Sequence, residues 1–185
     1  MSLPEVKAAA RKAAFAVRRP LFEAANGAQA GYLSEVLAGY RGVPLSGFMP
    51  IRTEIDPRAA MAEASAHGPV GVPVIEAEAQ PLKFARWTPE TVMVAGAFGA
   101  AVPEHCDFFE PEILIVPLLS FDCRGGRLGY GGGFYDRTLE MLRAKRATLA
   151  IGFAFAGQEV EAAPLEETDQ PLDLVVTEMG VIEVG

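Results

Sequence analysis

Short apolar runs alternate with helical patterns along most of the chain. Residues 43–51, 70–75, 82–87, 113–119, 148–155, 172–176 and 181–184 form apolar runs that predict strands. Asp56-Pro57 is a helix-start signal, which predicts a helix over residues 58–67. Another helix is predicted after residue 134, where Tyr135, Leu139 and Leu142 share one face. Strands separated by helices favour an α/β layered sheet with parallel strands in its centre.

The N-terminal pattern is helical. Ser2-Leu3-Pro4-Glu5 is typical of a capping box, and the Ala-rich run that follows predicts a helix to Val17. A second helix is predicted over residues 21–40, broken or loosened around its glycines at 27 and 31. From the residue pattern alone, Lys7 and Arg11, which stand four apart, form a solvated basic face of the first helix. Arg18 and Arg19 are expected to be solvated as well.

Composition excludes several classes of protein. The chain has 185 residues, a formal net charge of −8 and a pI of about 4.8, so we expect one domain over residues 1–185 that binds neither nucleic acid nor membranes. The longest uncharged run, residues 91–103, is too short to span a bilayer. Basic residues interrupt the N-terminus, which argues against a secretory signal. Cys106 and Cys123 form no metal-binding pair, so free thiols in a reducing cytoplasm are expected.

The most informative stretch is residues 127–137, RLGYGGGFYDR. Its four glycines can adopt positive φ and let a ligand approach the backbone with no Cβ in the way. A strand, a glycine loop and a helix in this order present N–H groups and the positive end of a helix dipole to an anion. Arg127 and Arg137 bracket the loop. The stretch therefore predicts a phosphate site; the alternative is a turn that only lets a strand and a helix pack closely.

Two common phosphate motifs do not fit this loop. A Walker A loop requires a Gly-Lys pair before Ser or Thr, and no glycine of the stretch precedes a lysine. A dinucleotide fingerprint that begins at Gly129 would require a glycine at position 134, where the chain has Phe134.

Residues 111–137, PEILIVPLLSFDCRGGRLGYGGGFYDR, closely resemble the signature of the 5-formyltetrahydrofolate cyclo-ligase family. That signature has a hydrophobic strand, then Pro-x-x-x-Phe-Asp, then Arg-Leu-Gly-x-Gly-x-Gly-Tyr-Tyr-Asp. The resemblance implies a single three-layer, Rossmann-like domain with a mostly parallel central sheet flanked by helices. It also implies an ATP- and Mg²⁺-dependent ligase that converts 5-formyltetrahydrofolate to 5,10-methenyltetrahydrofolate and acts as a cytoplasmic monomer on these small molecules.

The resemblance also implies roles for individual residues. ATP phosphates would be bound by Lys7 and Arg11 of the first helix and by the loop, comprising Arg127, Leu128, Gly129, Tyr130, Gly131, Gly132, Gly133, Phe134 and Tyr135. Magnesium would be held by Asp136 and by Asp169 of the acidic segment 166–169. The residues alone leave that segment open as a solvated acidic loop.

The folate side of the implied site involves residues 48–57, FMPIRTEIDP. Glu54 would bind the substrate and act in catalysis, and Met49 would line the pterin site. Residues 130–133 and Phe134 of the loop would also bind the substrate, where its formyl group meets the γ-phosphate. Glu54 is predicted between a strand's carboxyl end and a helix start, the edge where ligands bind in open α/β sheets. Trp87 is either a pterin-stacking residue or core packing.

Two segments depart from the family pattern. Phe134 replaces the first Tyr of the pair, with loss of one hydroxyl. Residues 99–104 read GAAVPE where the family has Gly-Ile-x-Glu-Pro, so the family's Glu has no direct counterpart in Glu104. These departures leave room for a nucleotide- or folate-binding module without turnover. A second alternative is an enzyme of similar fold that acts on a sugar phosphate or an acyl-CoA.

Overall fold

The computed structural model describes residues 1–185 as four helices and twelve strands. The helices are α1 (Leu3–Glu23), α2 (Gly31–Ala38), α3 (Arg58–Ser65) and α4 (Phe134–Lys145). The strands are β1 (Leu45–Ser46), β2 (Val70–Val74), β3 (Lys83–Arg86), β4 (Met93–Ala95), β5 (Ala101–Pro103), β6 (Phe108–Phe109), β7 (Ile113–Val116), β8 (Ser120–Phe121), β9 (Arg127–Leu128), β10 (Leu149–Phe153), β11 (Leu174–Thr177) and β12 (Gly180–Glu183).

Eight strands form the central sheet, in the order β12-β11-β10-β7-β1-β2-β3-β6. The five inner strands, β11 to β2 in this order, are mutually parallel, whereas β12, β3 and β6 pair antiparallel at the edges. The chain runs from β1 to β2 on one side, then returns to β7 and continues outward through β10 and β11. The strand order therefore reverses between β1 and β7, which is where open α/β sheets bind ligands.

Helices cover both faces of the sheet and bury two hydrophobic clusters against it. Leu33 and Leu37 of α2 and Met61 of α3 pack on one face with the apolar side chains of β1, β2 and β7. Leu139 and Leu142 of α4 pack on the other face. The strands of the centre are apolar on both sides because both faces are covered. The predicted α/β fold, with a mostly parallel sheet flanked by helices, is confirmed.

The N-terminal helix begins as predicted but ends later. The carboxylate of Glu5 accepts hydrogen bonds from the Ser2 N–H at 2.7 Å and from its hydroxyl at 2.8 Å. The helix then continues past Val17 and through Pro20 to Glu23, since Leu21 packs against the core. The predicted second helix over residues 21–40 is broken around Gly27, as expected, but not at Gly31. Residues 21–23 belong to α1, residues 24–30 are non-helical, and α2 begins at Gly31.

Arg18 is the largest departure from the predicted surface. The sequence pattern placed it among solvated residues, but its side chain is fully buried, while the neighbouring Arg19 is exposed. One turn of α1 therefore carries a cation into the interior beneath the loops at the carboxyl edge of the sheet.

The strands are generally shorter than the apolar runs that predicted them. Only Leu45–Ser46 of the run 43–51 belongs to the sheet, because the chain then turns out into the loop that carries Glu54. The run 113–119 pairs as β7 only to Val116, and the hairpin β8–β9 lies between it and the glycine loop. The strand that directly precedes the loop is thus β9, not the central apolar strand. The hairpin β4–β5 and the edge strand β6 were not predicted.

No helix of this chain is both long enough and apolar enough to cross a bilayer. The two cysteines are free thiols on the surface.

Candidate functional site

A cavity of about 720 Å³ opens at the carboxyl edge of the sheet, where the strand order reverses. The cavity is lined by Met49 and Glu54 from the loop after β1, by Ile75 directly after β2 and by Pro117 directly after β7. Every site residue predicted from the sequence lines this cavity: Lys7, Arg11, Met49, Glu54, Arg127, Leu128, Gly129, Tyr130, Gly131, Gly132, Gly133, Phe134, Tyr135, Asp136 and Asp169. The structure thus brings together residues from four separate segments of the chain.

The glycine loop occupies one wall of the cavity, immediately before α4. Gly131 has φ of 101° and Gly133, the residue that precedes the helix, has φ of 68°; both values lie in the left-handed region that favours glycine. A Cβ on Gly131 would lie 3.2 Å from the guanidinium carbon of Arg11. None of the backbone N–H groups of residues 129–133 donates to a backbone carbonyl. The loop therefore offers a row of free donors at the N-terminus of a helix, an arrangement that suits an anion.

Three arginines hold this loop in place. The Nε of Arg11 donates to the carbonyl of Gly129 at 2.9 Å, and Arg137 Nη2 donates to the carbonyl of Gly132 at 2.7 Å. Arg127, which is almost completely buried, pairs with Asp136 at 2.8 Å. Its Nε and the hydroxyl of Tyr135 are buried without a hydrogen-bond partner. Buried donors of this kind are costly unless a ligand or a water satisfies them, which favours a polar ligand at this wall.

Lys7 connects α1 with the acidic segment 166–169. Its Nζ donates to Glu166 at 2.7 Å and to Asp169 at 2.9 Å. Desolvation acts to lower the pKa of Lys7, but the hydrogen bonds and negative charges of the two carboxylates outweigh it and raise that pKa above the ordinary value. Lys7 is therefore charged at any physiological pH, and it points into the same cavity as the loop cations.

The two carboxylates predicted to hold magnesium are both paired with cations. Asp136 accepts from Arg127 and from the N–H of Gln170, and Asp169 accepts from Lys7. No group of three or more His, Cys, Asp or Glu side chains that could hold a metal is present. This donor set fits magnesium only in the manner in which Mg²⁺ accompanies nucleotides, with one or two carboxylates and the remaining ligands from phosphate oxygens and waters.

Glu54 lies at the opposite side of the cavity and is 4% exposed. One carboxylate oxygen accepts from the Tyr130 hydroxyl at 2.8 Å, and the other accepts from the N–H of Ile51 at 3.1 Å. Burial raises the pKa of Glu54 above its ordinary value, although these hydrogen bonds and the charges of Arg18 and Arg52 act to lower it. Tyr130 thus links the glycine loop directly to a buried carboxylate.

The apolar lining of the cavity is contributed largely by residues that the sequence did not single out. They are Phe15, Phe48, Ile51, Pro73, Val74, Ile75, Leu82, Ala97, Phe98, Val102 and Pro117. Phe98 stands at the tip of the unpredicted hairpin β4–β5, and its ring lies edge-on to Phe134 with centroids 5.9 Å apart. Trp87 does not line the cavity but packs in the core. Of its two predicted roles, pterin stacking and core packing, the structure therefore shows core packing. No motif marked Phe98, because the hairpin reaches the site only through tertiary folding.

Comparison with known proteins gives a consistent result. The model of the 5-formyltetrahydrofolate cyclo-ligase family matches residues 28–178. The protein named 5-formyltetrahydrofolate cyclo-ligase from Mycolicibacterium smegmatis is 31% identical over 160 residues, which cover 80% of this chain and 82% of that protein. The protein of the same name from Haemophilus influenzae is 42% identical over 101 residues, covering 51% of this chain and 54% of its own length. The chain thus aligns with only about half of that relative.

Solved structures extend the similarity to almost the full chain. The 5,10-methenyltetrahydrofolate synthetase of Aquifex aeolicus superposes with a TM-score of 0.74 at 25% identity, covering 97% of this chain and 93% of that one. The 5,10-methenyltetrahydrofolate synthetase of Mycoplasma pneumoniae superposes with a TM-score of 0.65 at 20% identity, which supports the fold.

Proposed function

The chain belongs to the 5-formyltetrahydrofolate cyclo-ligase family, and from this premise we propose that it closes 5-formyltetrahydrofolate to 5,10-methenyltetrahydrofolate at the expense of ATP. The products are the methenyl compound, ADP and phosphate. The names of the relatives that align with this chain support the reaction.

One observation carries the proposal: a single cavity combines a loop of free N–H groups with a buried carboxylate on an apolar wall. The free N–H groups of residues 129–133 suit nucleotide phosphates. Glu54 and the aromatic and aliphatic side chains opposite suit a planar heterocycle with polar edges, such as a reduced pterin. Tyr130 touches both halves through its hydrogen bond to Glu54.

The chemical difficulty is that a formamide oxygen is a poor leaving group. Transfer of the γ-phosphoryl group of ATP to the formyl oxygen forms a P–O bond and breaks the bond to ADP. N10 then attacks the activated formyl carbon, the C–O bond to phosphate breaks, and the proton of N10 is lost. The formyl oxygen leaves in inorganic phosphate, so the atoms balance.

During this transfer, the residues of the glycine loop hold the phosphates in place and neutralise their charge. The amides from Leu128 to Phe134 receive the β and γ phosphates, and Lys7, Arg11 and Arg127 offset their charge. Phosphoryl transfer depends mainly on such positioning and charge stabilisation. The unpartnered hydroxyl of Tyr135 and the unpartnered Nε of Arg127 supply further donors. Asp136 and Asp169 would hold magnesium together with ATP, and the ion would supply positive charge that neutralises part of the charge of the phosphates.

The residues on the side of the cavity opposite the glycine loop hold the folate in place. Met49 lines the pterin pocket, and residues 130–134 lie where the formyl group meets the γ-phosphate. Glu54 hydrogen-bonds the folate near N10 and takes its proton as the ring closes. Burial, which raises the pKa of Glu54, brings the carboxylate closer to the range in which a general base is most effective.

The direct test follows the near-ultraviolet absorbance of the methenyl product with purified protein. We expect the band to appear only when ATP, Mg²⁺ and 5-formyltetrahydrofolate are all present, with one ADP released per product. ATP binding without ADP release would instead indicate a binding module. Phosphate-ligand binding without any methenyl product would favour an enzyme for another phosphorylated substrate.

A further inference from the structure

We propose that Arg18 is a positioning residue of this site: its buried guanidinium holds Tyr130 in place and supplies the positive charge that balances Glu54. The inference rests on the proposed function, since it concerns the carboxylate to which that function gives the role of base. Arg18 does not line the cavity and touches no predicted ligand. Its influence would act through Tyr130 and the local electric field.

Arg18 is anchored in one orientation by neutral groups. Its side chain is fully buried in α1. Nε donates to the hydroxyl of Thr53 at 2.8 Å, and Nη1 donates to the carbonyl of Leu118 at 3.2 Å. Thr53 is the residue directly before Glu54, and Leu118 follows β7 at the carboxyl edge of the sheet. Arg18 thus joins the N-terminal helix to both sides of the point where the strand order reverses.

An aromatic pair separates this guanidinium from the cavity. The rings of Phe15 and Tyr130 have centroids 5.7 Å apart. The guanidinium carbon of Arg18 lies 5.4 Å from the Phe15 centroid and 5.6 Å from the Tyr130 centroid. The guanidinium of Arg52, which is exposed, lies at 5.3 Å and 5.4 Å from the same two rings. Cations over ring faces at such distances are attracted to them, most strongly where water is excluded.

The charge balance identifies the partner of Arg18. A buried guanidinium is costly unless an opposite charge or full hydrogen bonding compensates it. Arg18 forms no direct ion pair, and its Nη2 has no hydrogen-bond partner. Glu54 is likewise buried, and its direct partners, Tyr130 and the Ile51 N–H, are neutral. The two opposite charges therefore compensate one another across Tyr130.

The direction of the effect on Glu54 follows from the groups that face it. These are Arg18 from α1, Arg52 and the Ile51 N–H from its own loop, Tyr130 from the glycine loop, and Tyr135 from α4. Burial raises the pKa of Glu54, and Arg18 and Arg52 oppose that rise. Loss of the Arg18 charge should raise this pKa further, so that the base is protonated over a wider range of pH.

The test compares Arg18→Met and Arg18→Gln with Arg19→Met, a matched change at the exposed neighbour. For both Arg18 variants we expect a loss of kcat/KM for ring closure that is about tenfold larger near pH 6 than near pH 8.5, because the acid limb moves to higher pH. Arg19→Met should keep the wild-type profile, and Arg18→Lys, which retains the charge, should restore most of it. A loss that is equal at every pH would overturn the proposal and leave Arg18 a merely structural residue.

A second measurement does not depend on turnover. The carboxyl carbon of Glu54, followed by NMR in isotope-labelled wild-type protein and in Arg18→Gln, should titrate at higher pH in the variant. Gln keeps a polar group for Thr53, so this variant is expected to fold, which the melting curve checks. Identical titrations would contradict the role of Arg18 even if ring closure is confirmed. A shifted titration in a protein without ring-closure activity would contradict the proposed function alone.

Discussion

The two sides of the cavity handle charge in opposite ways. At the glycine loop, cations and carboxylates are paired directly, as Lys7 is with Asp169 and Arg127 is with Asp136. At Glu54, the carboxylate and the buried cation Arg18 make no direct contact, and neutral groups hold both. One side therefore has direct salt bridges. On the other side, the ring of Tyr130 separates two buried opposite charges.

This difference suggests different tasks. Under the proposed function, Lys7 and Arg127 would exchange a carboxylate oxygen for a phosphate oxygen when ATP binds, so their charges would be neutralised with or without the nucleotide. Glu166, half-exposed at the cavity, can move into water at little cost. Glu54 and Arg18 have no such exchange available, because both side chains are buried. Under the proposed function, this fixed arrangement would preorganise Glu54 for its role as a base.

The largest expected effect is on the unpaired side. Glu54→Gln keeps the size of the side chain but removes the base, so ring closure should fall about 100-fold or more. ATP affinity, measured by titration calorimetry, should stay near the wild-type value, because the Gln amide oxygen can still accept from Tyr130 and the loop N–H groups are unchanged. Unaltered turnover would remove Glu54 from the chemistry, and an equal loss of ATP affinity would mean that the two sides are not separate.

On the paired side, Lys7→Ala should weaken ATP about tenfold, since a charged hydrogen bond to phosphate is lost. Lys12→Ala is the matched control, because Lys12 is exposed on the same helix and forms no ion pair. Calorimetric titration of ATP into both variants gives the comparison. If the two variants bind ATP equally well, Lys7 serves only to anchor residues 166–169.

A smaller effect is expected for Asp136→Asn. The loss of one carboxylate should raise the Mg²⁺ concentration needed for half-maximal activity several-fold, while saturating Mg²⁺ restores most of the rate. Glu140→Gln, an exposed change on the same helix, is the control. A magnesium titration that matches the wild type would exclude Asp136 from metal binding and leave it as the partner of Arg127.

The smallest effect concerns the stability of the unpaired side. Because burial raises the pKa of Glu54 above 4.5, the native state binds more protons than the unfolded state between that value and the raised pKa. The free energy of unfolding contributed by Glu54 therefore falls as pH rises through this window. Melting curves should show that the Tm of Glu54→Gln increases relative to the Tm of the wild type as the pH is raised from about 5 to about 8. A Tm difference independent of pH would contradict the raised pKa.

Local signals predicted much of this molecule. Signals that depend only on neighbouring residues include the capping box of Glu5, the apolar runs and the glycine loop. The structure has the corresponding helix start, strands and loop at the predicted positions. Glu54 was expected between the carboxyl end of a strand and the start of a helix, and it lies in the loop between β1 and α3. The position of each predicted site residue at one cavity follows from the resemblance, which implied roles for residues from distant segments.

Long-range packing decided what could not be predicted. Arg18 has hydrogen-bond partners 35 and 100 positions away, so no local pattern distinguishes it from the exposed Arg19. Phe98 reaches the cavity only because a hairpin with weak strand signals folds over it. Strand ends were misjudged for a similar reason: apolar residues after Ser46 leave the sheet to line the cavity and still look like strand in the sequence.

The central claim is that the amides of the glycine loop bind the terminal phosphates of ATP next to a folate held by Glu54. A crystal structure with a non-hydrolysable ATP analogue, Mg²⁺ and 5-formyltetrahydrofolate tests it most directly. We predict phosphate oxygens within hydrogen-bond distance of the N–H groups of residues 129–133, with the formyl oxygen facing the γ-phosphate and N10 facing Glu54. A nucleotide bound elsewhere, or a pterin remote from Glu54, would contradict the account.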